Sequence, residues 1–249
     1  MKRLFNTILA ILITANLFAQ ADLLQKGNEH YAKEEYQQAI DAYNQLLMTN
    51  LESPEVYYNL GNAYYKTKQY TLAILNFERA KLLSPDDEDI DFNLQVANQY
   101  VVDSIQELPG LFFVRWWNSL VNSQSTDTWA VVSIISFILT LVLALFYFFS
   151  RISDVRRISF WAASALIVIT MFTWSFAAKQ KSRMVDHSHA IVMQPTVTVK
   201  SSPSEKGTNL FVVHEGLKVE ITDQLGDWLE IKLADGNKGW LLSESIERI

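Results

Sequence analysis

The chain has 249 residues, a net charge of −6 and no cysteine. The missing cysteine excludes disulfides, thiolate metal sites and thiol nucleophiles, and the acidic balance gives no footprint for nucleic acid. Charged residues are only 19% of the chain, below the usual quarter; two uncharged apolar runs explain the deficit and leave room for one or two small domains.

Met1 to Ala21 (MKRLFNTILAILITANLFAQA) opens on Lys2 and Arg3, continues through an apolar core from Ile8 to Ile13, and ends on Ala19-Gln20-Ala21. This order of basic, apolar and small residues predicts a secretory signal peptide over residues 1–21. An uncleaved anchor is the alternative. Both place the following chain outside the cytoplasm.

Residues 22–100 repeat themselves at a spacing of 34. Gly27 aligns with Gly61, Asn28 with Asn62, Tyr31 with Tyr65, Tyr36 with Tyr70, Ala39 with Ala73, Ile40 with Ile74 and Tyr43 with Phe77. Pro85 stops the second copy, and a capping helix is expected from Glu88 to Tyr100. Gly and Ala stand where the two helices of one repeat must approach closely, with Tyr and Phe filling the space beside them. The period and pattern resemble the tetratricopeptide repeat. The resemblance implies a partner-binding groove lined by the first helix of each repeat. By matched position its residues are Leu24, Asn28, Tyr31, Tyr58, Asn62, Tyr65, Lys66 and Phe92. One subclass clamps a ligand carboxylate with such asparagines, but its basic partners are missing here: Leu24 takes one place, and the third helix offers Asp89 and Asn93. The groove is therefore expected to take a partly apolar partner segment. The alternative for each aromatic is packing between repeats. The acidic run Asp86 to Asp89, with Asp91, lacks the Gly and closing Glu of a calcium loop and reads as a helix start.

Residues 101–128 approach the apolar runs. Pro109-Gly110 breaks the chain. At helical spacing Leu111 to Asn122 has a polar strip (Arg115, Asn118, Ser119, Asn122) and a wide apolar face with Phe112, Phe113, Trp116, Trp117 and Leu120. This fits a helix lying in a membrane interface, or one packed on the repeats. Ser125 to Asp127 offer a cap for the next helix.

The apolar runs are Trp129 to Ser150 and Ile158 to Ala178, and neither contains Lys, Arg, Asp, Glu or His. Each is about 20 residues long, enough to cross a hydrocarbon core. With Arg151 to Arg157 between them they predict a transmembrane hairpin with a cytoplasmic turn; a hairpin buried in a soluble core is the alternative. Lys179, Lys181 and Arg183 pull against this sidedness. No ionisable group lies within the spans, so no ion path or proton relay is expected. Ser159 and Ala163 could allow close helix packing.

After a linker over 179–189, short alternating runs predict strands at Ala190 to Met193, Thr196 to Lys200, Leu210 to His214, Leu217 to Thr222, Trp228 to Leu233 and Gly239 to Leu242. Turn signals at Ser202-Pro203, Glu215-Gly216, Gly226-Asp227 and Asp235-Gly236 separate them. Residues 190–249, with Gly226-Asp227-Trp228-Leu229 and Gly239-Trp240-Leu241, resemble the bacterial SH3-like domain. The resemblance implies a small all-β barrel that binds peptides or cell-wall material, with Trp228 and Trp240 as a possible ligand face or as core. His187 and His189 have no third ligand nearby and read as polar linker.

The expected fold class is thus a multidomain membrane protein: an α-helical tetratricopeptide array, a two-helix transmembrane hairpin and a small all-β SH3-like barrel. No phosphate loop, nucleophile elbow or carboxylate pair is present, so neither an enzyme nor a cofactor or metal is expected. The order of modules resembles the BatE-type proteins of aerotolerance operons. That resemblance implies a stress-related envelope adaptor whose partners are membrane proteins with von Willebrand type A domains. Its place would be the bacterial inner membrane, with both terminal domains in the periplasm. A peptidoglycan-binding protein or wall-enzyme regulator is the alternative.

Overall fold

The structure is a computed structural model that describes residues 20–49, 52–105, 111–186 and 188–249. The signal peptide expected over 1–21 lies outside these residues as far as residue 19; residues 20 and 21 already belong to the first helix. The chain folds as two compact units, one holding the repeat helices with the C-terminal strands, the other built on the two long apolar helices.

The first unit begins with α1 (residues 20–32), α2 (Tyr36–Leu47), α3 (Pro54–Lys66), α4 (Tyr70–Leu83) and α5 (Glu88–Asn98). The turns after α1 and α3 contain Glu34 and Lys68 at φ 61° and 64°, a left-handed conformation that L-residues seldom adopt. Their spacing is again 34, so the repeat extends to the backbone. A Cβ on Gly27 would stand 2.3 Å from Tyr43 Cε1, and one on Gly61 2.7 Å from Phe77 Cδ1. The expected close approach of paired helices is therefore present, and Tyr43 and Phe77 fill it, each 1% exposed. Burying such a ring contributes about 1.5–3 kcal/mol. Asp87 caps α5: its Oδ1 accepts from the N–H groups of Asp89 (3.0 Å) and Ile90 (3.3 Å). The acidic run thus does what orphan helix donors require.

Seven antiparallel strands follow: β1 (His189–Val192), β2 (Thr196–Lys200), β3 (Asn209–His214), β4 (Lys218–Leu225), β5 (Trp228–Lys232), β6 (Lys238–Leu242) and β7 (Ile246–Arg248). Their order in the sheet is β3-β2-β6-β5-β4-β1-β7. Inward residues alternate to form one core, including Val192, Val197, Val199, Val213, Val219, Leu229, Ile231 and Leu241. The expected strands are all present. β7 is an addition; its three residues carry a single inward side chain, Ile246, too short a pattern to read from alternation.

The strands dock directly on the repeat helices within this unit. Lys218 Nζ donates to Glu78 Oε2 (2.6 Å). Arg79 Nη2 donates to Glu247 Oε1 (3.0 Å) and to the carbonyl of Arg248 (2.8 Å). Asp103 accepts the backbone N–H of His214 (2.6 Å) and pairs with its Nδ1 (2.8 Å). Val101 and Ile105 pack against the sheet's core. Residues 101–105, expected as part of a membrane-approach linker, are instead joined to the β domain, because their apolar side chains find its core.

The second unit contains α6 (Phe112–Val121), α7 (Thr126–Phe149) and α8 (Ser153–Asp186). Ser125 caps α7 by accepting the N–H of Thr128 (3.3 Å). Both α7 and α8 include stretches long and apolar enough to cross a membrane. Two boundaries differ from expectation. The turn predicted over 151–157 shortens because helix resumes at Ser153, and the linker predicted from residue 179 is helical to Asp186. Neither stretch contains Pro or Gly to stop a helix. The seam between α7 and α8 is made of small hydroxyl residues. Ser133, Ser136 and Thr140 are buried on α7, and Ser159 and Thr173 on α8. Ser136 Oγ and Thr170 Oγ1 share a hydrogen bond (2.9 Å). Ala163 is half-buried. Large apolar side chains such as Ile134, Phe137, Leu141, Trp161, Ile169 and Phe172 point outward.

Candidate functional site

The first helices of the repeats, α1, α3 and α5, bring candidate residues together. Tyr31, Tyr58, Asn62, Tyr65 and Lys66 line one cavity of about 310 Å³ with Phe77, Asn93 and Val96. Leu24 lies elsewhere, packed against the core of the first repeat. Phe92 is outside the cavity lining but 65% exposed on α5. Asn28 sits at the junction of two repeats.

The asparagines form a ladder. Asn28 Oδ1 accepts from Tyr43 O–H (2.7 Å) and from Asn59 Nδ2 (3.1 Å). One repeat later, Asn62 Oδ1 accepts from Asn93 Nδ2 (2.8 Å), which also donates to Tyr58 O–H (2.9 Å). Asn59 and Asn93 are related by the same spacing of 34. Asn28 and Asn62 thus each accept through the carbonyl from an asparagine on the following first helix, which orients their NH₂ groups away from that bond. Phe77 and Val96 line the cavity without having been groove candidates, and Asn93 had entered only as the occupant of a clamp position; Asn59 pairs with Asn28 outside the lining, and the period relates it to Asn93.

At the rim of the cavity, Tyr65 meets Tyr70 and Tyr100 edge-on, and Tyr70 stacks on Tyr100 at 3.7 Å. Hydrogen bonds from Tyr65 and then Tyr70 hold the Tyr100 phenol below the usual tyrosine range. The same bond raises Tyr65. Lys66 is exposed and has no ion pair among the described residues. The lining is therefore phenol, amide and one cation over an apolar floor of Phe77 and Val96.

On the β domain, Trp228 and Trp240 are half-buried and lie outside its core. They occupy the outward positions of β5 and β6, where Trp228 faces Leu242 and Trp240 faces Glu230 across the strands. Lys200 lies opposite Trp240, with its Nζ 5.9 Å from the Trp228 ring centre. Thr222 O–H donates to Glu230, holding that carboxyl below its usual range. His189 begins β1, and His187 lies outside the described residues.

Comparison with known proteins assigns these parts. The family profile described as TPR repeat matches residues 27–68, and the one described as tetratricopeptide repeat matches residues 54–87. The bacterial SH3 domain profile matches residues 195–247. The chain carries tetratricopeptide repeats and a bacterial SH3 domain. A similar solved structure is the TPR domain of Sgt2 from Aspergillus fumigatus, 29% identical over 32% of this chain and 53% of that one, with a TM-score of 0.31. The chain thus spans about half the length of that domain. No curated protein matches the chain. The SH3 domain docks through α4 and the segment after α5, while the tetratricopeptide groove is formed on α1, α3 and α5.

Proposed function

We propose that the protein is a membrane-anchored adaptor whose tetratricopeptide groove holds a segment of a partner protein, and that it is not an enzyme. The observation that carries this reading is the open groove: the docked SH3 domain leaves Tyr31, Tyr58, Asn62, Tyr65 and Lys66 lining a free cavity. Oriented asparagine NH₂ groups suit the carbonyls of an extended peptide, and the tyrosines and Phe92 suit apolar side chains.

The membrane part is supported by the α7–α8 pair. Hydroxyls in the seam and large apolar side chains outside are the reverse of a water-soluble helix pair and suit lipid. The contact between the repeats and the SH3 domain supports placing both flanks of the hairpin on one side, independently of the arginine count. With the leader-like start, that side is the periplasm, and the site is the bacterial inner membrane. The resemblance to BatE-type proteins makes von Willebrand type A membrane proteins the favoured partners, in a stress-related envelope complex.

The test is co-purification in mild detergent with those membrane proteins. Wild-type chain should retain them, and the double variant Tyr58→Ala/Asn62→Ala should lose them while keeping its circular dichroism spectrum. Equal retention by both rules the groove out. A second reading, peptidoglycan binding, is favoured by the outward Trp228 and Trp240. Saturable sedimentation with purified peptidoglycan that Trp240→Ala abolishes would support it.

A further inference from the structure

α6 is held on one side and bare on the other. Trp117 packs edge-on against Phe176, and Trp129 Nε1–H donates to the carbonyl of Val121 (2.8 Å). Gln180 Nε2 donates to the carbonyls of Val121 (2.7 Å) and Gln124 (2.9 Å), and Lys179 Nζ donates to Asn118 Oδ1 (3.0 Å). On the free side Phe112, Phe113, Trp116 and Leu120 are exposed, Phe112 by 77% and Trp116 by 65%. Such a patch needs a partner.

The anchoring contacts set its level. Trp129 opens the first apolar run, Phe176 nearly closes the second, and Lys179 and Gln180 are the first polar side chains beyond it. α6 is tied to all four, so it lies level with the ends of both runs. If α7 and α8 span a bilayer, on which this inference rests, that level is the headgroup layer. Charge identifies the headgroup. Arg115, Lys179 and Lys181 stand at this end of the two runs, with Asp127 at the start of α7 and Asp186 at the end of α8, where it accepts from Ser182 (3.0 Å). Arg115 and Lys181 are exposed, with no ion pair among the described residues.

We propose that α6 and the Lys179–Lys181 turn of α8 form a binding element for anionic phospholipid. The aromatic face enters the boundary between headgroups and acyl chains, and Arg115 and Lys181 engage lipid phosphate. This also accounts for basic residues on the side that the positive-inside trend disfavours: their attraction is to the lipid surface.

The absence of cysteine permits a direct test on the full chain. Nitroxide labels are placed singly by Phe113→Cys, Ile138→Cys and Gln99→Cys, in nanodiscs of phosphatidylcholine with increasing phosphatidylglycerol. Collision with oxygen and with a water-soluble nickel chelate reports depth. The label at 138 should read bilayer core and that at 99 water. The label at 113 should move from water toward lipid as phosphatidylglycerol rises. The fraction needed for half-immersion should rise about five-fold for each of Arg115→Gln and Lys181→Gln. A label at 113 that stays in water while 138 is in lipid overturns the proposal alone. So does immersion at 113 indifferent to phosphatidylglycerol or to both substitutions. Water at 138 overturns the spanning hairpin itself.

Discussion

Gly27 is paired with the buried Tyr43 ring, whose hydroxyl is already committed to Asn28. Alanine is the better helix former by about 1 kcal/mol, but an added methyl at 2.3 Å must displace a ring that has no free space. Overpacking costs about 1–3 kcal/mol, so the clash wins. Gly27→Ala should lose up to about 2 kcal/mol in urea denaturation; a gain in stability would mean the helices are farther apart. Tyr43 also makes a pH prediction. Burial, then Tyr31 and Glu55, pushes its phenol from 10.0 up to about 12. A raised acid stabilises the fold fully below its unfolded value, and the contribution fades as pH climbs from 10.0 through about 12. Thermal melts across that alkaline window should fall less steeply for Tyr43→Phe than for wild type.

Among elements, α5 depends most visibly on one side chain. Asp87→Ala removes the acceptor for two orphan N–H groups and should cost about 1 kcal/mol. Amide exchange should accelerate at Asp89 and Ile90 and stay unchanged in β4–β6; protection retained at Ile90 would show the cap to be dispensable. Elements with long periodic patterns were legible in the sequence: four repeat helices follow from the spacing of 34, the capping helix α5 from its apolar pattern, and six strands from alternation. β7 was not, since one inward residue makes no pattern. The ends of α8 were not, since polar composition at Lys179 to Asp186 fits linker and exposed helix equally. The seam of Ser133, Ser136 and Thr140 lies at i, i+3 and i+7, hidden within a uniformly apolar run.

At the scale of the molecule, the repeats and the SH3 domain are one body although the apolar helices separate them in sequence. Glu78 is only 7% exposed, and Lys218 is its cation. Lys218→Ala leaves that carboxylate nearly buried without its partner, at a cost of about 1–3 kcal/mol. Hydrogen exchange should then rise in β4 and in residues 101–105 together. A rise in β4 alone would show that the contact holds only the strand.

The sequence by itself determined what is local or periodic: two repeats at a spacing of 34, two uncharged runs and alternating strands. These follow from which side chains avoid water at each helical or strand period. Of the eight groove candidates, the structure sets Tyr31, Tyr58, Asn62, Tyr65 and Lys66 around one cavity. The tertiary structure alone decided the pairings between distant parts: Lys218 with Glu78, Asp103 with His214, Asn93 with Asn62, and α6 with the polar end of α8. Such contacts depend on which surfaces meet in space, and neither partner's local pattern records the other.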